Sequence, residues 1–223
     1  MYNNQEVIPM LNVKAFSLGP VQTNCYIISN KQKDCILFDP GEESSKIIKV
    51  IHSNQLKPKA IFLTHAHFDH IGAVEELRQQ FDLPLYIHEK EVSWLDDPMK
   101  NGSGRYAELP NYIVQKPQDG HIIRQEQAFN VADMQFKAVF TPGHSPGSIS
   151  YIFEEDGFAI VGDTLFEGSI GRTDLVGGSH EVLLKSIHEK LLCLPEDMII
   201  YPGHGSYTTP AQEMDTNPFL NGF

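Results

Sequence analysis

Thr64-His65-Ala66-His67-Phe68-Asp69-His70 places three imidazoles and a carboxylate within six consecutive residues, directly after the apolar run Ala60-Ile61-Phe62-Leu63. Histidine nitrogen and carboxylate oxygen are the ligand types of borderline-soft divalent metals, zinc above all. His65 and His67 are two apart, so an extended segment points both to the same side. Asp69 and His70 fall where the chain turns into a helix running on through Gly72-Ala73-Val74 to Phe81. One histidine alone would read as part of a polar loop, whereas a histidine-dense tract reads as metal binding.

Three further runs share this design. Phe136-Lys137-Ala138-Val139-Phe140 closes in Thr141-Pro142-Gly143-His144, Phe158-Ala159-Ile160-Val161 closes in Gly162-Asp163, and Met198-Ile199-Ile200-Tyr201 closes in Pro202-Gly203-His204. Each is a strand-like run ended by a Gly or Pro turn that presents one metal-type ligand. Loops at the ends of strands on a rigid sheet are where sites are built. Converging, the four ends bring together seven candidate ligands: His65, His67, Asp69, His70, His144, Asp163 and His204. That is too many for one tetrahedral ion and suits two ions sharing a carboxylate.

The order His65-x-His67-x-Asp69-His70, then His144, Asp163 and His204, resembles the metallo-beta-lactamase superfamily. Within it, the chain looks most like the glyoxalase II-like (hydroxyacylglutathione hydrolase-like) thioester hydrolases. Thr141-Pro142-Gly143-His144-Ser145-Pro146-Gly147, Gly162-Asp163-Thr164-Leu165-Phe166, Gly171-Arg172-Thr173-Asp174 and Asn217-Pro218-Phe219-Leu220 are similar to segments of that branch. The resemblance runs from Lys14 to Leu220 and implies an α/β (α+β) fold, the four-layer αββα sandwich. It also implies two divalent metal ions, zinc first with iron or manganese as alternatives. His65, His67 and His144 would hold one ion, Asp69, His70 and His204 the other, and Asp163 would bridge them. A hydroxide between the ions would be the nucleophile, with Asp69 as the catalytic residue that orients it. Zinc lowers the pKa of bound water to roughly 7, so no separate base is required. A thiolate leaves readily, so the activity implied is hydrolysis of a small thioester such as S-lactoylglutathione.

Other readings stand beside this one. Persulfide dioxygenases are similar in the Gly171–Asp174 segment and keep one iron on residues matching His65, His144 and Asp163, a set suited to oxygen chemistry. A non-enzymatic metal module fits less well, because structural zinc sites are mostly cysteine-rich and none of the three cysteines lies in the ligand pattern. A lactamase proper is disfavoured by Asp163, which stands where lactamases commonly have another residue, and by Met1–Met10, which lacks the form of an export signal. Full-length glyoxalase II enzymes carry a helical C-terminal domain that grips glutathione. Here 19 residues follow His204 (223 − 204), too few for it, so the thiol carrier and acyl group stay open.

The remaining sequence bounds partners and location. With 17 Lys+Arg against 29 Asp+Glu, the net charge of −12 argues against nucleic acid as a partner. No apolar run approaches membrane-spanning length. Cys25, Cys35 and Cys193 have no paired spacing and read as free thiols of a reducing compartment, the cytoplasm. Neither a repeat nor a linker interrupts the chain, so residues 1–223 are expected to form one domain.

Strands are expected at Val13–Leu18, Cys25–Ile28, Cys35–Phe38, Leu85–Ile87, His121–Ile123, Phe136–Phe140, Ser148–Phe153 and Phe158–Val161, with helices at Glu43–Asn54 and His180–Leu192. Ile47, Ile48 and Ile51 form the inner stripe of the first helix, and Val182, Leu183, Ile187, Leu191 and Leu192 that of the second. Asp39 has two readings, a brace behind the ligands or a turn former before Pro40-Gly41. His88 reads as solvated, as do His180 and His188. Asp96–Asp119 reads as a mobile wall beside the site or as a surface excursion. Arg172 reads as braced by Asp174 within its loop.

Overall fold

The computed structural model describes residues 11–220, so Met1–Met10 lie outside the described residues. The first sheet runs in chain order: β1 (Asn12–Leu18), β2 (Thr23–Ser29), β3 (Asp34–Phe38), β4 (Lys57–Phe62), β5 (Leu85–His88) and β6 (Ile122–Ile123). Its first three strands are antiparallel and the rest join in parallel. The second sheet, from which the short hairpin of β11 (Leu165–Phe166) and β12 (Ser169–Ile170) stands apart, contains β7 (Gln127–Val131), β8 (Met134–Phe140), β9 (Ile149–Phe153) and β10 (Phe158–Gly162) as an antiparallel meander. Its far edge is β13 (Ile199–Pro202), parallel to β10.

Every residue of β2, β9 and β10 is buried, because both faces of each sheet are covered. Period-two alternation sorts the side chains. Tyr26, Ile28, Ile36, Phe38 and Phe62 of the first sheet meet Phe136, Tyr151, Phe153 and Ile160 of the second in an aromatic-rich inner layer. Cys25, Ile27, Cys35, Leu37 and Ile61 point the other way, onto α1 (Ser44–Ser53) and α3 (Val74–Phe81). Behind the second sheet, Ile152, Ala159, Val161 and Ile200 pack on α5 (His180–Ser186) and the π-turn Ile187–Leu191. The result is the αββα sandwich expected.

Some expectations need correction. Val182 is 41 % exposed, on the solvent side of α5, where Leu183 and Leu184 turn inward instead. Ile48 is only half-buried beside fully buried Ile47 and Ile51. His180 is exposed as expected, but His188 is partly buried. Cys25, Cys35 and Cys193 are free thiols as expected, the first two buried and the third exposed. The helix after the histidine tract is two pieces, α2 (Phe68–Ile71), which itself contains Asp69 and His70, and then α3.

Candidate metal centre

All seven candidate ligands gather at one edge of the sandwich, at the C-terminal ends of β4, β8, β10 and β13. His65, His67 and His144 form one group. His65 Nε2 lies 3.2 Å from His144 Nε2, and His67 Nδ1 lies 2.9 Å from the same nitrogen. His144 Nδ1 donates to the Arg172 carbonyl at 2.8 Å, which leaves its Nε2 as a lone pair facing the other two rings. One lone pair accepts one hydrogen bond, so hydrogen bonding within the trio cannot satisfy all three nitrogens.

Asp69, His70 and His204 form a second group. His204 Nε2 lies 3.2 Å from Asp69 Oδ2, and His70 Nε2 lies 3.5 Å from the same oxygen. Asp163 reaches both groups. Its Oδ1 is 3.4 Å from His70 Nε2, and its Oδ2 is 3.5 Å from both His144 Nε2 and His204 Nε2. Both His70 ring nitrogens and Asp163 Oδ1 are buried without a hydrogen-bond partner among the described residues, Nδ1 facing Asp39 only as an ion pair. Nitrogen and oxygen donors, converging and unsatisfied, are what a borderline divalent cation requires. The fit to such ions is therefore chemical as well as positional. Two glycines make room for it. Gly162 turns the chain at φ 52° into Asp163, and a Cβ on Gly203 would lie 2.0 Å from Asp163 Oδ1.

The supporting shell is built from both sheets. Asp39 Oδ1 accepts the Thr64 N–H at 2.7 Å, its Oδ2 accepts the Thr64 hydroxyl at 2.7 Å, and that oxygen lies 3.0 Å from His70 Nδ1. Asp39 also turns the chain at φ 48°, so both sequence readings of it hold. Thr23 Oγ1 donates to Asp69 Oδ2 at 2.7 Å. Asn24 on β2 donates its backbone N–H to the Gly203 carbonyl at 2.7 Å and its side-chain amide to the Pro202 carbonyl, which fixes the turn carrying His204. Glu91, which sequence reasoning passed over, is fully buried and accepts the Ala66 N–H at 2.5 Å and the Gly147 N–H at 2.9 Å. Trp94, also missed, packs on His67 with ring centroids 5.6 Å apart.

His88 is buried rather than solvated, a correction. Its strand pairs with β6, its Nδ1 accepts the Lys90 N–H at 3.0 Å, and its ring lies 4.3 Å from that of Phe140. Arg172 is braced as expected, with Nε and Nη2 donating to the two Asp174 oxygens at 2.7 and 2.8 Å. The Asp96–Asp119 stretch is a wall of the site. It contains α4 (Pro98–Asn101), capped by the Asp97 carboxylate, and buried Asn101 fastens it to the Trp94 and Tyr112 carbonyls.

Burial and neighbouring charge polarise the groups. Desolvation, reinforced by His144, pushes His67 down to about 3, and burial likewise holds His65 well below the usual imidazole range. Burial also opposes charge on His70, but Asp69, Asp163 and Asp39 outweigh it and raise its pKa well above the ordinary value. At His204, burial is overcome by hydrogen bonding to Asp163 and Asp69, and the pKa rises to about 9. Asp69 falls to about 2 despite burial, chiefly through His70.

The centre floors a cleft of about 180 Å³ that is also lined by Val21, Phe68, Lys100, Arg105, Tyr106 and Val176, with Arg172 beside His144. Residues 18–204 match the model of the metallo-beta-lactamase superfamily, and the chain belongs to that superfamily. A probable metallo-hydrolase of Bacillus subtilis, YqgX, is 50 % identical over 207 residues, 92 % of this chain and 96 % of that one. The hydroxyacylglutathione hydrolase GloC of Haemophilus influenzae is 38 % identical over 216 residues, covering 95 % and 99 %. Among solved structures, that of the B3 metallo-beta-lactamase BLEG-1 superposes with a TM-score of 0.91 at 48 % identity, covering 95 % of this chain and all of the other. That of TTHA1623 in a di-iron-bound form gives 0.80 at 34 % identity, covering 93 % and 100 %. The superfamily binds divalent metals, and this chain presents the His/Asp clusters to do so.

Proposed function

We propose that this metal-dependent hydrolase cleaves small thioesters, S-lactoylglutathione or a related acyl-thiol, at a two-ion centre. The observation that carries the reading is the position of Asp163, whose carboxylate reaches ring nitrogens of both histidine groups. His65, His67 and His144 would hold one ion, Asp69, His70 and His204 the other, with Asp163 shared. Zinc and iron both suit this donor set, and the di-iron form of the TTHA1623 neighbour favours a pair over a single ion. Two ions held there would lower the pKa of water and polarise a carbonyl.

The chain's own residues do the rest. Thr23, His70 and His204 all contact Asp69 Oδ2, which leaves Oδ1 to accept a hydrogen bond from the attacking water and aim it. Neutral His65 and His67 keep their lone pairs at physiological pH. A thiolate leaves without a proton donor, which suits a cleft whose lining, Asp69 and Asp163 of the centre aside, holds cations and no carboxylate among the described residues. The Haemophilus hydrolase, matched along 99 % of its length, supports this reading. The free thiols Cys25, Cys35 and Cys193 favour the cytoplasm as its compartment.

The BLEG-1 neighbour favours a second reading, opening of a β-lactam ring by the same centre. Measured kcat/KM on acyl thioesters, a β-lactam and a persulfide separates them. Thioesters should be preferred by at least tenfold; preference for the β-lactam, or oxygen uptake with the persulfide, overturns the proposal.

A further inference from the structure

Glu91 sits on the 3-10 turn Glu89–Trp94 that follows β5, and none of it is exposed. Its two carboxylate oxygens hold loops from different sheets. Oε2 accepts the N–H of Ala66, the residue between His65 and His67, at 2.5 Å, beyond the end of β4 in the first sheet. Oε1 accepts the Gly147 N–H at 2.9 Å and contacts the Ser145 hydroxyl, both in the β8–β9 loop that carries His144 in the second sheet. A buried carboxylate is unfavourable unless its oxygens are satisfied, and here all three partners are donors supplied by those two loops. Space is equally tight, since a Cβ on Gly147 would lie 2.7 Å from Glu91 Cγ. Among the described residues no hydrogen bond or ion pair joins Glu91 to the Asp69–His70–His204 group, which is held instead by Asp39, Thr23 and Asn24.

We infer that Glu91 is a positioning residue that sets the spacing of His144 against His65 and His67, and so governs one of the two metal positions selectively. This rests on the two-group reading above. Glu91→Gln is the discriminating variant: it keeps size and one acceptor, but turns an amide donor toward one loop's own donor. Ser145→Ala removes a single partner and serves as the milder companion.

Trp94 is the chain's one tryptophan and touches His67, so its fluorescence reports filling of this group. Metal-stripped protein is titrated with Zn²⁺ by calorimetry and Trp94 fluorescence, alongside the histidine side-chain NMR spectrum before metal is added. The wild type should show two binding steps. Glu91→Gln should weaken the step seen by Trp94 by about 10–100-fold, the usual cost of losing an outer partner of metal ligands. The other step should stay within about threefold, and Ser145→Ala should shift the Trp94 step less. Before metal, His65, His67 and His144 resonances should move in Glu91→Gln while those of His70 and His204 hold. Equal weakening of both steps, or no change in either, overturns the inference. A wild type that takes up one ion defeats the two-group reading instead; the histidine spectra then judge Glu91 alone, and unmoved His65, His67 and His144 signals overturn it.

Discussion

Asp39 Oδ2 lies 3.0 Å from His70 Nδ1, with both side chains fully buried, so the ring is presented to the centre through Nε2. The same carboxylate accepts two hydrogen bonds from Thr64, the residue that opens the histidine tract. One side chain thereby orients a candidate ligand and fixes the start of the loop that bears three others. Asp39→Asn keeps the volume but loses the charge. Affinity for one metal equivalent should fall by about 10–100-fold. Metal-stripped protein should lose roughly 1–3 kcal/mol in urea unfolding, the usual result of leaving a buried polar group unsatisfied. Unchanged affinity would show that Asp39 serves the turn alone.

Asp163 should couple the two groups. Asp163→Ala is expected to lower uptake of both equivalents and to cut turnover by more than about 100-fold. Gly203→Ala should act in the same direction, because its new methyl would lie 2.0 Å from Asp163 Oδ1 and force that carboxylate aside. Elemental analysis and initial rates decide this: two retained ions with normal rates would remove Asp163 from its bridging role.

The centre should bind metal more tightly as pH rises. His204 is raised to about 9, and His70 lies well above its ordinary value, so both hold protons near neutrality in the metal-free protein. A bound cation must displace those protons. Zn²⁺ affinity should therefore climb from pH 6.5 toward pH 9. For the stripped protein the sign is reversed. A raised folded-state pKa gives stability that is fully present below about 6.5 and is lost as pH passes about 9. Its Tm should fall over that window while the metal-dependent gain in Tm widens. A metal affinity that is flat across the window would refute the assignment of these two histidines.

Selectivity should be electrostatic at the cleft mouth. Lys100 is paired with Asp97 at 3.4 Å and Arg172 with Asp174, whereas the Arg105 guanidinium makes no ion pair or hydrogen bond among the described residues. In a chain of net charge −12, this cationic rim should favour thioesters of anionic thiols. Arg105→Gln should raise KM for a carboxylate-bearing thiol carrier roughly fivefold, with kcat and neutral carriers unchanged, and the difference should shrink in high salt. Equal effects on charged and neutral carriers would place Arg105 outside substrate recognition.

The seven candidate ligands were legible because four crowd into one tract directly after a β-type run, the other three each follow such a run and a Gly or Pro turn, and a sheet must deliver such ends to one edge. The layers followed from period-two and helical spacing. Glu91 left no signal, since a single glutamate in a short turn looks like any solvated residue until two loops from distant sequence close over it. His88 was misread for a related reason: its strand end is covered by β6 and Phe140, which lie far along the chain. Val182 was misread because apolar residues adjacent in a helix cannot all face inward, and the choice among Val182, Leu183 and Leu184 depends on what the second sheet presents.

Seven side chains at one edge should form one centre for two ions, a claim that a stoichiometric titration of metal-stripped wild type with Zn²⁺ decides. Two equivalents per chain should bind, with thioester hydrolysis returning only as the second is added. Saturation and full activity at one equivalent would contradict the claim.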